Sequence, residues 1–181
     1  MKKPAAVFFD LDGTLVDTAP DFVRVLNQLR SEEGLPPLPA RSIRDQVSNG
    51  ARALVQLGFK LEEQDPAHCR LLNRLLALYA DGLAKESLVF NGLDHFLTEL
   101  EHLQVPWGVV TNKPSLYTFP LLQQLGLLDR CSAVVCPDHV VNRKPHAEPM
   151  LKACELAGVS PSESWYVGDH ERDIASGRSA G

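Results

Sequence analysis

Two carboxylates spaced two residues apart, in Asp10-Leu11-Asp12-Gly13-Thr14, follow directly on the apolar run Ala5-Ala6-Val7-Phe8-Phe9. On a chain leaving a strand, side chains at i and i+2 can both turn toward one pocket. Gly13 permits the backbone turn that a side chain would hinder. A carboxylate is a competent nucleophile toward phosphorus and gives an aspartyl-phosphate. A second carboxylate beside it can protonate the leaving alkoxide and then activate water. A lone D-x-D is more often an acidic turn capping a helix. The strand before this one and the Gly-Thr after it favour the catalytic reading.

Three weaker signals follow along the chain. Thr111-Asn112 closes the run Trp107-Gly108-Val109-Val110, and a hydroxyl with free amides at the head of a helix suits a phosphate oxygen. Lys144-Pro145 lies in a polar loop before another helix. A fixed ammonium there can neutralise phosphate charge and hold a nucleophile ionised. Gly168-Asp169 closes Trp165-Tyr166-Val167, with Asp173 four residues beyond. Acidic oxygens are what Mg²⁺ prefers, and the ion would offset repulsion between nucleophile and phosphate. Singly, these are a helix start, a surface lysine and a helix N-terminus with favourable acids.

The elements that must carry these residues read as an α/β chain. Ala5 to Phe9 is expected as a buried parallel strand. From Thr18, a possible cap, Phe22, Val25, Leu26 and Leu29 form one helical face that ends at Gly34. Helical pattern continues from about Arg41 to Leu83, with breaks near Ser48-Asn49-Gly50 and Gly58. After Asn91-Gly92, helices at 93–103, 114–125 and 148–157 alternate with strands at 106–111, 133–136 and 165–167. Such alternation implies right-handed crossovers and a parallel sheet, with ligands at the carboxyl ends of the strands. The expected organisation is a Rossmann-like core over 1–16 and 90–181, with an all-helical cap over 17–89. A further strand and helix are expected beyond Gly181.

Asp10-x-Asp12-Gly13-Thr14, Thr111-Asn112, Lys144-Pro145 and Gly168-Asp169-x-x-x-Asp173 together resemble the four motifs of the haloacid-dehalogenase-like hydrolases. The resemblance covers essentially the whole chain. It implies that Asp10 is the nucleophile and Asp12 the general acid/base. Thr111, Asn112 and Lys144 would bind phosphate. Asp10, the Asp12 backbone carbonyl and Asp169 would ligate Mg²⁺, with Asp173 supporting the metal or Lys144. An aspartate at position 12 implies phosphatase rather than dehalogenase chemistry. Within the superfamily the chain resembles the phosphoglycolate-phosphatase branch, and in it the N-acetylmuramic acid 6-phosphate phosphatases of cell-wall recycling. That finer likeness rests on Ile43-Arg44-Asp45-x-Val47-Ser48-x-Gly50-Ala51-Arg52-Ala53, Trp107 to Pro114 and Cys136-Pro137-Asp138-His139-Val140. Either substrate carries a carboxylate, which an arginine fork at Arg44 or Arg52 would match. Two departures from the family pattern stand out: His170 directly after Asp169, and Ala147 where a proline is commoner.

Phosphomutases share the core motifs and differ in the cap, so they stand as an alternative, as does an inactive interaction protein on the same fold. A receiver-type signalling domain also sets a Thr and a Lys around a phosphorylated Asp, but lacks the D-x-D-G-T and the helical insert. With 44% hydrophobic and 23% charged residues, the composition is that of a globular protein. A net charge of −5 argues against nucleic acid as a partner. No segment approaches the roughly 20 apolar residues that span a bilayer, so a membrane partner is not expected either. The apolar run before Asp10 is too short for a secretory signal. Cys69, Cys131, Cys136 and Cys154 show no disulfide framework, and Cys131, Cys136 and His139 lack the paired spacing of a zinc site. The expectation is a cytoplasmic enzyme, monomer or homodimer, acting on a small phosphorylated metabolite.

Overall fold

The computed structural model describes residues 3–181. Its centre is a four-stranded parallel sheet built from β1 (Val7–Phe9), β4 (Trp107–Val110), β5 (Ala133–Val135) and β6 (Trp165–Val167), in the order β5-β4-β1-β6. Every residue of β1 and β4 is buried, as expected of inner strands covered on both faces. Phe9 pairs in register with Val109 on one side and with Val167 on the other. Glycine is required at 108, because a Cβ there would meet the Ala133 carbonyl oxygen of β5 at 2.5 Å. The α/β reading is therefore correct, and the three later strands fall within a residue of their expected bounds.

The helices of this unit are α5 (Leu93–His102), α6 (Ser115–Gln124), α7 (Glu148–Ala157) and α8 (Glu171–Ala180). Helix α7 packs on β4 and β5 and against α8. Met150, Ala153 and Cys154 of α7 thereby close a core with Ala6, Phe8, Val110, Ala133 and Val135.

The chain divides into two units: one takes the chain up to Val16 together with Val89–Gly181, the other is Asp17–Leu88. It passes between them through β2 (Val16–Asp17) and β3 (Leu88–Val89), strands of two residues that pair with each other. Two residues are too few to show any periodicity, so neither strand could be read from the sequence. The second unit is helical, formed by α1 (Ala19–Glu32), α2 (Ala40–Arg44), α3 (Ala51–Phe59) and α4 (Pro66–Asp81). Helix α1 packs on the other three, burying Val25, Leu26 and Leu29 with Ile43, Leu54, Val55, Leu71 and Leu75. Phe22 stacks on Tyr79 at 4.4 Å between centroids. Thr18 occupies the N-cap position of α1 but makes no capping bond through its side chain; Asp17 Oδ1 accepts from the Ala19 amide instead. No helix of the described residues is long and apolar enough to cross a membrane.

Candidate active site

Because β1 lies between β4 and β6, the residues that follow these three strands leave the sheet side by side at its carboxyl end. The Asp10 amide donates to the Val167 carbonyl at 2.8 Å, and the Thr111 amide to the Val135 carbonyl at 3.0 Å. Gly13 then turns the chain at φ 87°, in the region that favours glycine.

Lys144 comes from the loop between β5 and α7 and is 2% exposed. Its ammonium lies within hydrogen-bond reach of four oxygens: Asp10 Oδ1 at 2.9 Å, Asp173 Oδ1 at 2.7 Å, Tyr166 Oη at 2.7 Å and the Val110 carbonyl at 2.9 Å. A buried ammonium costs several kcal/mol unless carboxylates and further acceptors surround it, and here they do. The loop is itself anchored. Glu148 accepts from the amides of Val141 and Asn142 and from Asn142 Nδ2, while Ser176 Oγ donates to the His146 carbonyl. Asn112 Nδ2 donates to the Lys144 carbonyl at 3.1 Å, so this residue steadies the lysine's backbone.

Burial pushes the Asp10 carboxyl up from 3.8 to about 6, against the pull of Lys144. The charges of Asp173 and Asp12 push the same way as burial. Burial also drives the Tyr166 phenol far above its ordinary range, helped by Asp10, Asp173 and Asp169, so it stays a protonated donor. Its hydroxyl donates to the Val110 carbonyl at 2.8 Å.

Asp173 is fully buried and serves two partners, Lys144 through Oδ1 and the His170 amide through Oδ2 at 3.0 Å. Gly168 makes room for it, since a Cβ at 168 would stand 2.4 Å from the Asp173 Cβ. His170 caps α8, its Nδ1 accepting from the Arg172 amide at 3.2 Å. That explains the first departure from the family pattern. Ala147, the second, is the N-cap residue of α7.

Oxygens of Asp10, Asp169 and Asp173 lie within 4.8 Å of one another, and this is the one group among the described residues able to hold an ion. Asp12 stands apart from it, its Oδ1 accepting from Lys113 Nζ at 2.9 Å. Thr14 Oγ1 donates to Asp169 Oδ1 at 3.1 Å. Four carboxylates thus face two ammonium groups, an excess of two negative charges on an all-oxygen donor set. That chemistry fits a hard divalent cation such as Mg²⁺. Cys131 and Cys136 form no such group with His139. Burial pushes their thiols up to about 12 and about 11, which disfavours thiolate ligands.

Two amides at the head of α6 already have partners. The Ser115 amide is taken by Asp138 Oδ1 at 2.9 Å and the Lys113 amide by Thr111 Oγ1 at 3.1 Å, so these two amides do not await a phosphate. The Thr111 hydroxyl keeps its own proton to donate. Arg44 and Arg52 lie in the helical unit. Arg44 Nη1 pairs with Asp17 Oδ1 at 2.8 Å, whereas Arg52 is 3.8 Å from Glu63 and its side chain is 63% exposed. Sequence reading gave Lys113, Tyr166 and Thr14 no role of their own. Lys113 follows Thr111-Asn112 directly, which is the one signal that could have found it.

The model of the haloacid dehalogenase-like hydrolases matches residues 7–181. The chain belongs to that family. It is 44% identical over 176 residues to the N-acetylmuramic acid 6-phosphate phosphatase of Pseudomonas aeruginosa, covering 97% of this chain and 78% of that protein. It is 40% identical over 181 residues to the phosphoglycolate phosphatase of Xanthomonas campestris, covering 100% and 81%. Among solved structures, a predicted phosphoglycolate phosphatase from Haemophilus somnus superposes with a TM-score of 0.85 at 26% identity, covering 99% of this chain and 83% of that one. Family and relatives make this haloacid dehalogenase-like hydrolase a phosphoric monoester hydrolase.

Proposed function

We propose that this hydrolase transfers the phosphoryl group of a small cytoplasmic metabolite to Asp10 and then to water, with N-acetylmuramic acid 6-phosphate as its substrate. The observation that carries the reading is Lys144, clamped between Asp10 and Asp173 at the end of β1. It orients the Asp10 carboxylate and offers positive charge where a phosphate would arrive.

In the first step an Asp10 oxygen bonds to phosphorus, the ester P–O bond breaks, and Asp12 gives its proton to the leaving oxygen. In the second, water bonds to phosphorus and the Asp10 O–P bond breaks. Asp12 takes the water's proton and is restored. Thr111 and Lys144 hold phosphoryl oxygens, with Asn112 fixing the Lys144 backbone. Asp10, Asp169 and the Asp12 backbone carbonyl would hold Mg²⁺, with Asp173 behind them. Bound there, the ion would neutralise charge between phosphate and carboxylate. Arg44 and Arg52 are the arginines whose forks would match the substrate's carboxylate.

The substrate choice follows the higher identity to the N-acetylmuramic acid 6-phosphate phosphatase; 2-phosphoglycolate is the second candidate. Phosphate release with Mg²⁺ from the two compounds, beside an Asp10→Asn control, tests the proposal. Preference for the sugar phosphate, abolished in the control, is expected. Preference for 2-phosphoglycolate would reassign the substrate, and turnover by the control would reject Asp10 as nucleophile.

A further inference from the structure

We infer that Lys113 is a positioning residue for Asp12, holding the acid–base carboxylate apart from the aspartates that face the cation. The inference rests on the reading of Asp12 as the group that exchanges the proton. Four carboxylates crowd the end of the sheet, yet only Asp10, Asp169 and Asp173 converge within 4.8 Å. The two lysines sort them: Lys144 binds Asp10 and Asp173, and Lys113 binds Asp12 at 2.9 Å.

Lys113 is built for this placement. Its side chain is 7% exposed, so it is not a solvated surface lysine. Its backbone is gripped at both ends: the amide donates to Thr111 Oγ1 at 3.1 Å, and the carbonyl accepts from Thr118 Oγ1 at 3.1 Å. Thr118 is fully buried and anchors this grip inside α6. An ammonium fixed by its own backbone can hold a carboxylate in one rotamer. Without that ammonium, the Asp12 carboxylate would lose the ion pair that draws it away from the cation-facing oxygens, and turned toward them it could no longer reach the leaving group.

The consequence is specific to leaving groups. An alkoxide needs the Asp12 proton to depart, whereas a nitrophenolate departs far more readily without it. Lys113→Met is therefore expected to lower kcat on N-acetylmuramic acid 6-phosphate by about a hundredfold, the scale of general-acid catalysis. On p-nitrophenyl phosphate the loss should be about tenfold smaller, with KM for both little changed. Lys113→Arg, which keeps charge and reach, should restore most of the alkyl-phosphate rate, and Lys113→Gln replaces the methionine variant if that one does not fold. Equal losses on the two substrates in a folded variant would overturn the proposal, as would failure of arginine to restore the rate. Asp12→Asn separates the two claims. If it shows the leaving-group selectivity and Lys113→Met does not, only the positioning role is lost. If Asp12→Asn lacks the selectivity as well, the acid–base role of Asp12 fails and the inference goes with it.

Discussion

Asp10 stands in an environment that favours its neutral form, and this links the site to stability. Its carboxyl is raised from 3.8 to about 6 with the Lys144 pairing already counted. The fold therefore gains from a protonated Asp10 at low pH, and that gain is lost as pH rises from about 4 through about 6. In metal-free buffer at pH 7.5, Asp10→Asn should melt at a higher temperature than the parent, and the difference should close toward pH 4. Calorimetry across that range checks it, and a difference of opposite sign would reject it. Active sites commonly hold such destabilised groups. Asp10, Asp12 and Asp169 were legible because their spacing meets strand ends, and Lys144 because a loop lysine joins them in order. Tyr166 was not legible: in an apolar triplet it reads as core, and only the sheet register shows its hydroxyl beneath Lys144.

Helix α1 illustrates what element-level reading finds and misses. Its apolar face was evident from period, but the role of Asp21 in its first turn was not. In the fold Asp21 is fully buried and accepts from the amides of Glu86 and Ser87 at 3.2 and 3.1 Å, from Ser87 Oγ at 2.5 Å and from Arg24 at 2.7 Å. It ties the start of the helical unit to its end. These partners lie far along the chain, and no local pattern announces them. Asp21→Ala would leave the Arg24 pair broken and buried donors unmet, costing about 3 kcal/mol. Urea denaturation measures this, and a loss under about 1 kcal/mol would mean that water replaces the carboxylate. The head of α6 gives the converse lesson. Helix N-termini suit anions in general, but Asp138 and Thr111 have already claimed amides there, and only tertiary contact reveals it.

At the scale of the whole molecule, the parallel sheet was legible because helix and strand alternate along the chain. The two-residue strands where the chain changes units show no period of their own. The sheet's border is the other feature of this scale. Among the described residues β6 pairs with β1 alone, and its Trp165 and Val167 are 47% and 41% exposed. The protein's two tryptophans, one on β4 and one on β6, stand in different surroundings. Trp107 is 1% exposed and donates to Glu101 Oε1 at 2.9 Å, while Trp165 faces solvent. Acrylamide will quench the emission of Trp165 more than that of Trp107, so a quenching titration reports the border strand and the interior separately.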